Sequence, residues 1–210
     1  MRKTFGDPVM PSLIGHSLAA CAAYQGTVGT EPALSAWRAL PLYCAAACAP
    51  DFDFLLGFLC GEPGRFHQGV SHSLGAALLF GAVVAFLSWR MRGQIAWRLV
   101  LVLFSLYCSH LVFDYLAVDT GLPYGIPIWW PLSGKHYLSP IAIFSDVHRG
   151  DSPEKFIPGI FIQHNLRAVM LEILIFMPII GLATAARRWH EWRLNLVRTA
   201  HSQNLGTKEL

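Results

Sequence analysis

Charged side chains are scarce in this chain: Asp, Glu, Lys and Arg make up 14% of its 210 residues, where a soluble domain carries about a quarter. That is too little charge to coat a globule of this size in water, which weighs against an ordinary soluble domain. Blocks of Lys or Arg are lacking too, and a net charge of +3 leaves no nucleic-acid footprint. The cysteines form no CxxC pair. Cys21, Cys44, Cys48, Cys60 and Cys108 are odd in number and lie mostly in apolar stretches, so they read as small buried hydrophobes. Met1-Arg2-Lys3 is followed by Gly6, Asp7, Pro8 and Pro11 rather than by an apolar run, so no cleavable signal peptide is expected. Internal repeats and low-complexity segments are also missing.

The chain does have apolar length. Hydrophobic residues make up 54% and mean hydropathy is +0.43. These values predict an all-α, polytopic integral-membrane helix bundle, with residues 1–210 forming a single domain. The clearest spans are 73–89, 95–118 and 168–186, each close to the roughly 20 residues that cross a bilayer. Two shorter, Ala-rich helices are expected at 12–25 and 35–49, the second kinked at Pro41. That makes about five membrane-embedded helices. A loop over 50–71 and a long one over 119–167 join them, and 187–210 reads as a polar tail. Arg90, Arg92 and Arg98 crowd one connection, and Arg187, Arg188, Arg193 and Arg198 follow the last span. The bias of Lys and Arg toward cytoplasmic loops puts these regions and Arg38 inside and the 119–167 loop outside. Arg2 and Lys3 then also fall outside, against the rule.

Ionisable residues occur where an apolar bundle would exclude them. His16, Asp51, Asp53, His67, His72, His110 and Asp114 lie at or near span ends. A charge at the bilayer centre costs about 2.5–3.5 kcal/mol, so such residues face a bundle interior. Starts of odd helices and ends of even helices meet at one face of an up-down bundle, so all seven are expected to converge there. His110 and Asp114, at i and i+4, share a helix face. Imidazole and carboxylate together suit zinc, or manganese. Seven candidates exceed one closed four-ligand site, which favours two or more ions with open positions. A pair of ions about 3.5–4 Å apart can activate water and stabilise both oxygens of a phosphoester displacement. Taken singly, His16 reads as a packing or capping residue, Asp51 and Asp53 as turn formers, His67 as solvated, and His110 with Asp114 as a structural pair. Glu172, inside the last span, reads as a structural hydrogen-bond partner or as a neighbour of the site. His136, His148 and His164 read as solvated or interfacial.

Four short motifs follow one another in order. Pro50-Asp51-Phe52-Asp53 matches a PDxD element. His67-Gln68-Gly69-Val70-Ser71-His72-Ser73 resembles HRGxTHS, and Ser109-His110-Leu111-Val112-Phe113-Asp114 resembles SHxxxD. Residues 123–131, PYGIPIWWP, resemble PxGxPLLWP. With the early His16, this series resembles the YdjM-like family of bacterial inner-membrane metal-dependent hydrolases over residues 12–133. Gln68 stands where the family often has Arg, and Ser71 where it has Thr. If that Arg binds an anionic group, another cation must serve here, with Arg65, Lys135 and Arg149 as candidates. A fainter resemblance is to the zinc-dependent phospholipase C group, which is an analogy of reaction class.

The leading expectation is therefore a membrane-bound, metal-dependent hydrolase cleaving a phosphoester of a lipid or lipid-linked substrate. It would sit in the bacterial inner membrane with its site facing the periplasm. His16, Asp51, Asp53, His67, His72, His110 and Asp114 would hold the metal, and Asp51 or Asp53 would bridge ions or act as general base. Arg65, Gln68, Tyr124, Trp130, Lys135 and His136 would shape the substrate entrance. Trp129 and Trp130 read equally as interfacial anchors. A metal-binding transport or sensing protein and a metal-stapled structural protein are the alternatives. Gathering the ligands at one face weighs against transport.

Overall fold

The computed structural model describes residues 11–27, 36–120, 123–150 and 152–206. Arg2, Lys3 and the Arg198 side chain, used above for topology, lie outside the described residues. Among these residues are seven α-helices: α1 (Leu13–Thr27), α2 (Ala36–Ala47), α3 (Asp53–Leu59), α4 (Leu74–Arg92), α5 (Trp97–Tyr115), α6 (Pro153–Ile160) and α7 (Gln163–Gly206). Two 3-10 turns, Ala49–Phe52 and Val70–His72, precede α3 and α4. Two isolated bridges, Ala117 with Phe144 and Ile126 with Tyr137, are the only β pairing described.

The fold is the expected all-α bundle. Among the described residues, three helices are long and apolar enough to cross a membrane, and a fourth span exists if α2 and the bent segment after it count as one. Side chains such as Leu78, Leu79 and Phe86 on α4, and Leu174 and Leu182 on α7, remain exposed. An apolar exterior of this kind suits lipid rather than water. α5 lies at the centre, with Leu99, Leu103 and Leu106 packed on Ala39, Tyr43 and Ala46 of α2 and Ala20 of α1. The small Ala side chains let the short helices approach closely.

Local chemistry sets the element ends. Ser73 caps α4, accepting from the Ala76 N–H at 3.1 Å, and Gly93 closes it in the left-handed region at φ 70°. Two further α4 N–H groups are satisfied by the long loop: Leu74 donates to the Ile128 carbonyl at 2.8 Å and Gly75 to that of Trp130 at 3.1 Å. The Pro-rich stretch thus clamps the start of the helix that follows His72.

Three elements differ from the expectation. The bend in the second span comes not at Pro41, which lies inside a continuous α2, but between Ala47 and Ala49, where the axis turns by 68°. Pro50 restricts the residue before it and replaces α-helix with a 3-10 turn. The 50–71 and 119–167 loops contain α3 and α6. The polar tail continues the last helix: α7 runs on to Gly206. The Arg-rich segment ends the apolar run but not the helix: Arg, Leu and Glu are good helix formers, and Arg187 pairs with Glu191 one turn on at 3.8 Å.

Candidate metal centre

The bend after α2 puts carboxylates inside the bundle. Asp51 lies in the 3-10 turn and Asp53 opens α3, and both are buried. Irregular backbone at this depth is tolerated where it lines a protein interior. His16 comes from the first turn of α1, His72 from the turn before α4, and His110 and Asp114 from the last turns of α5. All four are buried. The His67 side chain, from the loop between α3 and α4, is buried as well. All seven residues predicted from sequence meet at one end of the bundle.

Four donor atoms face one another. His72 Nε2 lies 3.3 Å from His110 Nε2, 3.6 Å from Asp51 Oδ1 and 3.3 Å from Asp114 Oδ2. His110 Nε2 lies 3.5 Å from the same Asp51 oxygen and 3.3 Å from the same Asp114 oxygen. These separations are too long for good hydrogen bonds. They fall near the separation of about 3.3 Å between neighbouring ligands of an ion whose bonds are about 2.0–2.1 Å. His16 Nε2 stands 3.5 Å from Asp114 Oδ1, and its ring stacks on His110 at 3.7 Å.

The surrounding hydrogen bonds fix the tautomers that an ion requires. His110 Nδ1–H donates to the Ala47 carbonyl at 2.7 Å, leaving the Nε2 lone pair free. Ser71 Oγ donates to Asp53 Oδ2 at 2.7 Å and so accepts from His72 Nδ1 at 3.0 Å. Tyr107 steadies this segment by donating to the Ser71 carbonyl at 2.6 Å. Asp53 also takes His67 Nδ1 at 3.1 Å. It stands behind the histidines, in the place of a carboxylate that orients metal-binding imidazoles.

The donor set fits a cation. Both oxygens of Asp51 and of Asp114, both ring nitrogens of His16 and Nε2 of His67 are buried without a hydrogen-bond partner. Such groups are costly unless something satisfies their lone pairs. Three overlapping trios have metal-ligand spacing: His16–Asp51–His110, Asp51–His67–His72 and His72–His110–Asp114. The first two have only Asp51 in common, and both of its carboxylate oxygens are free, so the cluster could hold more than one ion; His72 and His110 have one free nitrogen apiece. Among protein groups alone, burial disfavours a charged His72, but the Asp51 and Asp53 carboxylates and the Asp114 charge outweigh it and push its pKa up to about 9. At His67, burial prevails and pushes the pKa down.

A cavity of about 740 Å³ reaches this cluster. Leu55, Phe58, Phe156 and Ile160 make its apolar wall, and Asp51 and Arg149 stand in it. Arg149 is buried, with its guanidinium 4.8 Å above the Phe54 ring. None of the expected entrance residues, Arg65, Gln68, Tyr124, Trp130, Lys135 and His136, lines this cavity. Arg65 is exposed beside Glu62, Tyr124 and Lys135 are exposed, and Trp130 caps α4 through its carbonyl. Of the three candidate cations, Arg149 is the one at the cavity. The phenylalanines were missed because an apolar residue in an apolar sequence carries no signal of its own. Glu172 is a structural partner: its carboxylate takes the Ser12 N–H at 2.6 Å and the Ser12 hydroxyl, tying the start of α1 to α7.

An all-α bundle with helices of membrane-crossing length, enclosing a His/Asp cluster that could hold metal ions, is a membrane protein with a candidate metal centre. The family model of the YdjM inner membrane protein matches residues 10–190. The chain therefore belongs to the YdjM family. No curated protein and no solved structure matches it.

Proposed function

We propose that this chain is a multi-pass membrane hydrolase that uses divalent metal to cleave the phosphoester of a lipid or lipid-linked substrate, with its site toward the periplasm. The observation that carries this reading is the apolar cavity whose wall includes both Asp51 and the buried Arg149. Acyl or isoprenoid chain suits the phenylalanine-lined part. A phosphate oxygen suits the guanidinium, which binds such groups with fixed geometry. His16, His67, His72, His110, Asp51 and Asp114 would hold the ions. Asp53 would position His67 and His72. Zinc fits this histidine-rich set, and manganese is the alternative. When bound, a divalent ion supplies Lewis acidity toward a phosphoryl oxygen and makes water nucleophilic near neutral pH. Arg149 would hold the substrate phosphate, the phenylalanines would exclude bulk water, and Asp51 would accept the proton released as water attacks. The Arg-rich connection between α4 and α5 lies at the opposite end from the cluster, which supports the outward orientation.

The test is phosphate release from long-chain and short-chain phosphoesters by detergent-purified protein loaded with zinc or manganese. The expected result is hydrolysis that favours the long chain, is lost in His72→Ala and is reduced by at least tenfold in Arg149→Met. Metal-loaded protein that cleaves no lipid phosphoester would overturn the proposal.

A further inference from the structure

A second group of metal-type donors lies outside the buried cluster, where residues 146–150 meet the first turn of α7. His148 Nε2 is 3.0 Å from Asp146 Oδ2, and His164 Nε2 is 2.7 Å from Asp146 Oδ1. All three ligand atoms lie within 4.8 Å of one another. The two rings meet edge to face at 4.6 Å. Both imidazole nitrogens stand at hydrogen-bond distance from one carboxylate; ligands of a zinc ion with bonds of about 2.0–2.2 Å stand about 3.3 Å apart, so an ion would replace the imidazole protons and spread the three groups by a few tenths of an ångström.

The arrangement is held from behind. Asn165 Oδ1 accepts the His148 N–H at 2.8 Å, and its Nδ2 donates to the His148 carbonyl at 2.7 Å. The same Nδ2 reaches the carbonyls of Gly159 and Ile160 at 3.0 Å. Asn165 is buried, so one side chain fixes His148 to the end of α6 and to the helix that carries His164. The Asp146 side chain is 12% exposed, whereas those of His148 and His164 are 37% and 44% exposed. The group therefore has a protein side and a solvent side. On the solvent side is an open pocket of about 510 Å³ that Arg149 and Lys155 also line. Three protein ligands with one direction open is the pattern of a zinc site that keeps a position for water, rather than of a closed four-ligand one.

The geometry points to a second zinc site formed by Asp146, His148 and His164, separate from the central cluster, which pins the segment carrying Arg149 to α7. It uses none of the central ligands and stands whether or not the protein is a hydrolase. Arg149 directly follows His148 and lines both cavities. An ion that locks His148 to His164 therefore also sets where the guanidinium stands.

The test is bound zinc per chain at buffered free zinc, measured on full-length protein in detergent with its elution profile as the folding control. His164→Gln and Asp146→Asn, made in the wild-type background, are each expected to bind one zinc fewer than the parent. The His72→Ala/His110→Ala variant is expected to keep one zinc that adding His164→Gln removes. Zinc is also expected to slow amide exchange over 146–150 in the wild type and not in His164→Gln. Equal zinc content with and without His164→Gln and Asp146→Asn would overturn the proposal and leave an Asp146-bridged histidine pair.

Discussion

At His72 and His110 the decisive atoms are the ring nitrogens that turn away from the cluster. Ala47 and Ser71 occupy the two Nδ1 positions, and only then can both Nε2 lone pairs point at one place. Removing such partners lowers metal affinity by about 10–100-fold. Ser71→Ala and Asp53→Asn are expected to fall in that range by chelator competition, with the fold intact. A pH dependence follows from the same residues. The His72 pKa of about 9 means that a cation must displace its proton. Apparent zinc affinity is thus expected to rise from pH 6 toward pH 9 and then level off, and a flat profile would contradict it. The candidate ligands were legible in the sequence because an ionisable side chain between apolar spans has only the bundle interior to occupy. The difference between Asp51 and Asp53 was not legible. They are two residues apart across the change from 3-10 turn to α3, and only the backbone path shows that one faces the donors and the other the histidines' far side.

At the scale of elements, α1 depends on α7. Its 15 residues reach about 22 Å at 1.5 Å per residue, short of the roughly 30 Å apolar core of a bilayer. Ser12 Oγ caps its start, accepting from the Ile14 and Gly15 N–H groups at 3.1 Å, and Glu172 of the longest helix holds Ser12 in place. Gly15 permits this approach, since a Cβ there would lie 2.7 Å from the Glu172 carboxyl carbon. Glu172→Ala is expected to destabilise the protein by about 1–3 kcal/mol, as for other lost buried hydrogen bonds, read as earlier thermal unfolding in detergent. Glu172→Gln, which keeps an acceptor, should cost less. Composition and apolar length made the three strong helices legible. The bend at Cys48 and the continuation of α7 beyond Ala186 were not, because hydropathy reports where lipid ends and not where a helix ends.

For the whole molecule, the ligand cluster lies at one end and the Arg-rich ends of α4 and α5 at the other. If the cluster faces outward, Leu132→Cys in the long loop should react with an impermeant thiol reagent added to intact cells, in a Cys60→Ser background. Gln94→Cys, between α4 and α5, should react only after the membrane is opened. The reverse pattern would invert the orientation. The cavity was legible least of all. It joins α3, α6 and the starts of α1 and α7, far apart in sequence, and Arg149 emerged as its cation only once those segments met.

The buried His/Asp cluster is proposed to hold metal. Elemental analysis of gently purified protein, beside His72→Ala and with the Asp146–His148–His164 group removed by His164→Gln in both, tests it most directly. Zinc or manganese is expected in the parent, at one ion per chain or more, and is expected to be lost in His72→Ala with membrane insertion retained. No bound metal after reconstitution, or equal metal in the two proteins, would contradict it.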